Sequence, residues 1–586
     1  METTSRRAQT DWSHVANLPD NCSVQPSGGH LYVIRRAYEY DKESRRSHEK
    51  RTTLGQIVDN VFYTCDEYKS KFKRGIIKRT EPRIEDLIYN NKLIENLSKE
   101  QIAYLSNTLT SGLVGAVPLL WHIVKNSGLF DDLLATFKTD IVVAKVVSLA
   151  CYFIISNDNS SRHYEEFAKT HYLPYKESLS SQDISKLYKE IGSHDYFKKR
   201  FFVERANRLA KNDTLLSIDS TTISSSSSRY SLTEVGKNKD GTYKKQINLA
   251  IIFNNSTHEP ICYRTVPGNA PDCRTLLEIL TDLSHLGIIQ KCIAALDRGY
   301  CNIDNIGMAQ DMGLRCCMAL TLHSSWSYEV VDNVLPELDM QENMLRGGEV
   351  SGVTVQTCVS DNSGQNRKFW VHVFKSKRVE ASVISTFYEE IEEFERLWLS
   401  KKGKVKVLLK RNEIKYFTYD KNDTEIPLMR NMLEINKHLI YAGCFATMTT
   451  YECTAQECFD VYDLRSDIER VFRSGKKDIN LDVLRTHGTL ASEGKTLISF
   501  IALTILEYAK RELSKERTKK LKRGKLHVEI PSNHYDIEDV LSISKSVRFH
   551  RRPVSGEIFY LSPSEAQKNV AKAMGCENIY MNGLEY

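Results

Sequence analysis

Near residue 470 the chain carries VYDLRSDIERVFRSGKKD, in which a tyrosine, a glutamate and three cations recur at helical intervals. On an ideal helix, at about 100° per residue, Tyr462, Arg465, Glu469, Arg473 and Lys476 fall within an arc of about 80°. Val461, Leu464, Ile468, Val471 and Phe472 share the neighbouring stripe, which predicts an amphipathic helix with its apolar side against a core. A carboxylate beside three cations suits a metal held next to a polyanion, with Glu469 as ligand and Arg465, Arg473 and Lys476 receiving phosphate. The same pattern also suits an ordinary surface helix laced with Arg–Glu pairs.

Two aspartates widen the pattern. LLSID reads as a short buried strand ending in Asp219, and CIAALD as another ending in Asp297. Either residue alone also suits a turn, where Asp is common. Between them QINLAIIFN and PICYRTV read as strands joined by the turn NSTHEP, followed by a helix over about 273–286. The order strand, strand, strand, helix, strand would bring both aspartates to one sheet edge if their strands are neighbours. With the glutamate helix packed beside that edge, three carboxylates could share two divalent ions about 3.5–4 Å apart.

The remaining elements frame this constellation. Alternation over 30–64 predicts a β module, and Leu/Ile spacing predicts helices over about 84–211. Ser224–Ser228 and KNKDGTYKK read as a loop by composition. Residues 316–437 are richer in strand patterns, with one acidic helix, FYEEIEEFERLWL; HLIYAGCFATM reads as a strand returning to the earlier sheet. A long helix is expected from near Thr454 and another over about 491–513. Basic stretches occupy Lys69–Arg83 and Lys510–Lys525. The expected division is a β-rich module at 1–83, a helical domain at 84–212, a core from 213–315 and 438–513, a β-rich insertion at 316–437, and a basic linker with a small tail at 514–586.

Composition narrows the classes. The 586 residues are 41% hydrophobic and 9% aromatic, enough for sizeable cores and against global disorder. The 81 Lys and Arg against 75 Asp and Glu give a net charge of only +6, so a basic surface must be local. The first residues lack the apolar core of a secretory signal. Stretches such as Leu113–Val124 and Leu497–Leu506 are too short or interrupted to span a bilayer, so a soluble intracellular protein without a membrane partner is expected. Fourteen cysteines without a C-x-x-C pair argue against a zinc ribbon and for reduced, packed thiols. No Walker loop, H-E-x-x-H or strand-linked G-x-G-x-x-G occurs, which directs any metal to carboxylates and hence to Mg²⁺ or Mn²⁺.

Four blocks together resemble the DDE transposases of bacterial insertion sequences, in the group marked by Y-x2-R-x3-E-x6-K. Tyr462, Arg465, Glu469 and Lys476 match that spacing without a gap. IDSTT (Ile218–Thr222) resembles the first acidic block, LDRGY (Leu296–Tyr300) the D-R-G block, and PGNAPD (Pro267–Asp272) the G-N-x-x-D segment between them. The resemblance covers about 213–315 and 438–510 and is weaker elsewhere.

The resemblance implies a multidomain α/β protein whose ribonuclease-H-like catalytic core is interrupted by a mostly β insertion, with a helical N-terminal region. Position and basic patches such as Lys69–Arg83 suit DNA end binding by the first 210 residues, and such a patch equally suits a solvated face. It implies metal-dependent DNA cleavage at transposon ends and strand transfer into target DNA. Asp219, Asp297 and Glu469 would coordinate two Mg²⁺, with Mn²⁺ as a substitute. One ion would activate a water or a 3′-OH and the other would stabilise the leaving oxygen. Arg465, Lys476, Arg473 and Arg298 would contact backbone phosphate, and Tyr462 would hydrogen-bond one. The implied partners are double-stranded DNA, as terminal inverted repeats and as target, and a second copy of the chain in a synaptic complex. The implied location is the bacterial cytoplasm, at the nucleoid. Some relatives form a hairpin and flip a base onto an aromatic ring; Tyr441, Phe445, Trp326, Trp370 and Trp398 are available, but each also suits a core. Two other readings stay open: a hydrolytic nuclease of the same fold, and a non-catalytic DNA-binding remnant of a mobile element.

Overall fold

A computed structural model describes residues 15–27, 30–41, 46–65, 67, 110–238, 241–322, 324–400, 411–418, 428–521, 535–551, 558–560 and 563–580. The basic stretch Lys69–Arg83 and the helical pattern expected over 84–109 lie outside these residues, as does the end of the Lys510–Lys525 run. The chain divides into two units, Met1–Thr108 and Leu109–Tyr586.

In the first unit, β1 (Ser23–Ser27), β2 (His30–Asp41), β3 (Arg46–Val58) and β4 (Val61–Thr64) form an antiparallel meander. The alternation over 30–64 turns Val33, Ile57 and Phe62 inward, where they close a small core with Val15.

The second unit starts with β5 (Thr110–Leu113) and a run of helices: α1 (Val117–Asn126), α2 (Leu129–Phe137), α3 (Asp140–Ser156), α4 (Ser161–Thr170), α5 (Ser181–Ser193) and α6 (Asp195–Leu209). Next come β6 (Thr214–Ser224), β7 (Glu234–Lys237), β8 (Tyr243–Asn254), β9 (Glu259–Pro267), α7 (Asp272–His285), β10 (Cys292–Leu296), α8 (Ile303–Asp311) and β11 (Arg315–Leu320). After α9 (Ser325–Leu338) follow β12 (Val350–Ser360), β13 (Asn366–Ser376), α10 (Lys377–Ser400), β14 (Phe417–Thr418), β15 (Met429–Arg430), α11 (Met432–Leu439) and β16 (Cys444–Thr449). The last elements are α12 (Ala455–Asp463), α13 (Ser466–Ile479), α14 (Thr489–Leu521), α15 (Ile537–Ser544), β17 (Arg548–Arg551), β18 (Ile558–Tyr560) and α16 (Glu565–Ala573).

Among the described residues, nine strands make one mixed sheet in the order β12-β13-β16-β11-β10-β6-β8-β7, with β9 also on β8. The pairs β6–β10 and β10–β11 are parallel, and the other pairs are antiparallel. β6 reads TLLSIDSTTIS and is buried along nearly its whole length, as a strand covered on both faces must be.

Three expectations change at this level. The strands at 350–376 do not form a sheet of their own: β13 pairs with β16, so β12 and β13 extend the central sheet. The segment's acidic helix does have a separate small core, where Phe387, Ile391, Phe394 and Trp398 meet Tyr416, Phe417 and Ile435. The serine-rich stretch is well held: Ser225 and Ser227 are buried, and Ser227 Oγ accepts from Gly488 N–H (3.1 Å). Composition misled there because short hydroxyls suit a buried, hydrogen-bonded corner as well as a solvated loop. The C-terminal residues pack onto the same unit, since β17 pairs with β5 and Tyr580 Oη donates to Gly115 O (3.3 Å).

α14 is the spine of the second unit. Its segment Thr489–Ser514 is long and apolar enough by composition to cross a bilayer, contrary to the expectation for this stretch, but 83% of its most apolar window is buried in the fold. It crosses α5 at glycines: a Cβ on Gly192 would strike Leu490 O, and one on Gly494 would strike Tyr188 O. Fully buried Arg205 ties α6 to the sheet, donating through Nε to Pro260 O (3.0 Å) and through Nη2 to Glu259 (3.3 Å). Such a buried cation is stable only when paired and hydrogen-bonded.

Candidate active site

β6 and β10 run parallel, and Ile218 faces Leu296 in their register. Asp219 and Asp297 therefore lie side by side on neighbouring strands, but only Asp297 follows a strand end. β6 does not stop at Asp219 as expected and runs on to Ser224, because β8 pairs with it along that length. Asp219 is almost fully buried, and its Oδ1 accepts from Ser220 N–H (2.7 Å). Asp297 leaves the strand and starts a 3-10 turn, Arg298–Tyr300, with its side chain 30% exposed.

Glu469 sits in the first turn of α13, where the helix dipole favours a negative charge, while Lys476 and Lys477 occupy the last turn, where it favours cations. α12 opens with a capping box: Thr454 Oγ1 accepts from Glu457 N–H (3.2 Å), and Glu457 Oε2 accepts from Thr454 N–H (2.9 Å).

The single helix expected through Tyr462 and Glu469 is two helices. It breaks at Leu464 and Arg465, between α12 and α13. The Leu464 carbonyl is claimed by other donors: Asn255 Nδ2 donates to it (2.8 Å), and Ser217 Oγ lies 3.2 Å away. Asn255 Nδ2 also reaches Asp467 Oδ2 (3.2 Å). β6 and the β8–β9 turn thus pin the break, and the ideal-helix phases do not carry across it. Tyr462 belongs to α12, Arg465 to the junction, and Glu469, Arg473 and Lys476 to α13.

The junction delivers Arg465 to the acids. Its Nη1 lies 3.1 Å from Asp297 Oδ1 and 3.0 Å from Glu469 Oε1. The Tyr462 ring sits against its guanidinium, at 5.5 Å from ring centre to Cζ. Burial opposes the Arg465 charge, but Tyr462, Asp297, Glu469 and Asp219 outweigh it and raise the pKa. One cation thus feels all three carboxylates. Arg465, expected on phosphate, is here paired with acids.

The other cations separate. Arg473 is exposed and, with Arg470, Lys477 and Lys510, lines an open cleft of about 380 Å³ closed on one side by Asp536 and Glu538. Lys476 is half-buried, and Arg298 is exposed beside Asp297. Of the aromatic residues considered for base stacking, Tyr441 donates to Asp332 (2.6 Å), Phe445 stacks on Phe374, Trp326 packs edge-on to Phe369, and Trp398 is buried in the small core of α10.

A fourth acid joins the rim. Ser220 Oγ donates to Asp272 Oδ1 (2.6 Å), at the start of α7. A Cβ on Gly299 would meet Asp272 Oδ2 at 2.8 Å, so PGNAPD and LDRGY fit together through that glycine. Tyr300 is buried beneath; burial, then Asp272, Asp219 and Asp297, keep its phenol pKa well above the ordinary value. Asp272 stood in a block singled out from the sequence, but its contact with Ser220 did not show there. Asn255 gave no signal, because its partners Leu464, Asp467 and Ser217 all lie far from it along the chain.

A family model described as a transposase DDE domain matches residues 210–505, just over half of the chain. No curated protein sequence matches. Among solved structures, the chain is similar to a piggyBac transposase in a synaptic complex with hairpin DNA, determined by cryo-EM, at a TM-score of 0.35 and 10% identity over 73% of this chain and 76% of that one.

Proposed function

The chain belongs to the transposase DDE-domain family, and from that membership we propose that it breaks DNA strands at the ends of a mobile element and joins them to target DNA. The observation that carries this reading is the meeting of Asp297 and Glu469 on Arg465, with Asp219 beside Asp297 on the neighbouring strand.

The three acids offer only hard oxygen donors, a set that fits Mg²⁺ or Mn²⁺, and two such ions are part of the proposal. Asp219, Asp297 and Glu469 would hold them. Bound there, the ions supply activation of the attacking hydroxyl and stabilisation of the leaving oxygen. The chain's own residues do the rest. Ser220 N–H fixes the Asp219 carboxylate. Arg465 offsets the mutual repulsion of the acids, and the Tyr462 ring holds its guanidinium in place. Once the acids have other cations, Arg465 is placed to take a backbone phosphate. Arg298, beside Asp297, offers a further phosphate contact at this edge, and Lys476 and Arg473 offer others farther along α13.

The parallel pair β6–β10 with antiparallel β8 alongside supports a ribonuclease-H-like core. In that reading, 316–437 is an insertion that supplies most of β11 and extends the core sheet with β12 and β13, while α9, α10 and α11 make it more helical than the mostly β segment expected. Pairing of two element ends would require two copies of the chain.

The test is incubation of the full chain with Mg²⁺, a duplex carrying the DNA that flanks its gene, and a plasmid target. Joined product is the expected result. Cleavage without joining would select a hydrolytic nuclease, and binding without cleavage under any condition would select a non-catalytic DNA-binding protein.

A further inference from the structure

Away from the acidic edge, four residues from three separate stretches of the chain bring soft donor atoms together. His372 lies on β13, Cys317 on β11, Cys458 on α12, and Cys453 just before that helix. The ligating atoms of His372, Cys453 and Cys458 all lie within 4.8 Å of one another. Cys453 Sγ is 3.7 Å from His372 Nε2, and Cys317 Sγ is 3.4 Å from Cys458 Sγ. His372, Cys317 and Cys458 are fully buried, and Cys453 is half-buried.

We propose that His372, Cys453, Cys458 and Cys317 form a structural zinc site that clamps the start of α12 to the central sheet. Zinc bonds of about 2.3 Å to sulfur and about 2.0 Å to nitrogen place tetrahedral ligands roughly 3.5–3.8 Å apart. The Cys453–His372 separation falls inside that range and the Cys317–Cys458 separation just below it. Cys317 lies outside the mutual 4.8 Å group, so its side chain must rotate to complete the shell. Three thiolates and one imidazole are a soft set, unlike the oxygen donors of the acidic edge.

The surrounding hydroxyls complete the arrangement. Thr354 Oγ1 lies 2.9 Å from His372 Nδ1, and Thr447 Oγ1 lies 3.1 Å from Cys458 Sγ. His372 Nε2 meets Thr449 Oγ1 at 2.9 Å, and that hydroxyl donates to Tyr451 O (2.7 Å). In the metal-free state Nε2–H therefore donates to Thr449. On binding, the imidazole proton moves to Nδ1 and is donated to Thr354 Oγ1, which orients the ring as a ligand. Three thiol protons leave to solvent as three zinc–sulfur bonds form. The clamp lies at the head of α12, the helix that carries Tyr462 near its end, so it would fix the approach to Arg465 without touching the acids.

The full-length chain, purified without chelator, is expected to retain about one zinc per molecule by elemental analysis. Replacement by Co²⁺ is expected to give the intense thiolate-to-cobalt absorption and the visible bands of a tetrahedral site. Cys453→Ser, at the half-buried position, is expected to lose both signals, while Cys358→Ser, at an exposed cysteine on β12, keeps them. No retained zinc together with no cobalt–thiolate band in the unsubstituted chain would overturn the proposal, and that reading does not depend on how the variants fold. A Cys317–Cys458 disulfide in the reduced-purified protein would overturn it too, as would undiminished binding in Cys453→Ser.

Discussion

Arg465 is the residue on which the candidate site turns. Its guanidinium touches Asp297 and Glu469 and feels Asp219. Arg465→Gln would leave three like charges facing one another. The expected result is a lower unfolding midpoint in chelator, by on the order of 1 kcal/mol because two of the acids are partly solvated. Added Mn²⁺ should recover more stability in this variant than in the unsubstituted chain. An equal Mn²⁺ response in both, read by thermal unfolding, would show that Arg465 does not neutralise the cluster. The spacing of Tyr462, Arg465, Glu469 and Lys476 was legible in the sequence, because spacing is what a signature records. The pairing of Arg465 with acids was not, because it depends on where the helix breaks.

That break is the decisive feature among the elements. A continuous amphipathic stripe predicts one helix, but Asn255 takes the Leu464 carbonyl and α12 hands over to α13 at Arg465. Removing these hydrogen bonds by Asn255→Ala is expected to cost about 1–3 kcal/mol in stability. It should also slow cleavage while the DNA affinity stays close to that of the unsubstituted chain, since the phosphate-facing cations are unchanged. A variant with lower stability but an unaltered cleavage rate would show that the junction does not position the site. The stripe Arg470, Arg473, Lys477 on α13 faces a cleft of its own, where phosphate contacts would release counterions. Arg473→Ala is expected to lower the magnitude of the log–log salt slope of DNA binding by about one. An unchanged slope would remove Arg473 from the DNA contacts. Most of the strand and helix order from 214 to 296 could be read from alternation and buried runs, but β7 could not, because its four residues lie in a polar stretch that reads as a loop. The membership of β12 and β13 in the central sheet could not, because pairing partners lie far apart along the chain.

At the scale of the whole molecule, α14 binds the helical layer to the sheet, and it does so around a buried lysine. Lys495 Nζ lies 3.2 Å from Asn159 Oδ1. Burial, then Arg485, push its pKa down to about 7, against the opposing pull of Asp158. In the unfolded chain the group titrates near about 10.4. Between these values the unfolded chain binds the extra proton, so this group makes stability rise with pH, by up to about 1.4 kcal/mol per unit. Below about 7 both states are charged and the folded chain carries the full cost of burial. Lys495→Met is therefore expected to stabilise most below pH 7, with its advantage shrinking as pH rises toward about 10. A difference in unfolding free energy that does not vary between pH 6.5 and 9 would contradict a buried, titrating lysine. No sequence pattern announced this residue, and the same holds for the His372 and Cys458 cluster, whose members lie up to 141 residues apart.

The central claim is that Asp219, Asp297 and Glu469 act as one catalytic centre on DNA. Its most direct test is the Mg²⁺-dependent strand-cleavage rate of Asp219→Ala, Asp297→Ala and Glu469→Ala on a duplex carrying the flanking DNA, with circular dichroism and DNA affinity as folding controls. Each variant is expected to fold and bind DNA yet cleave at least about 10³-fold more slowly, a loss of roughly 4 kcal/mol in transition-state stabilisation. A folded variant that cleaves at the rate of the unsubstituted chain would contradict the account.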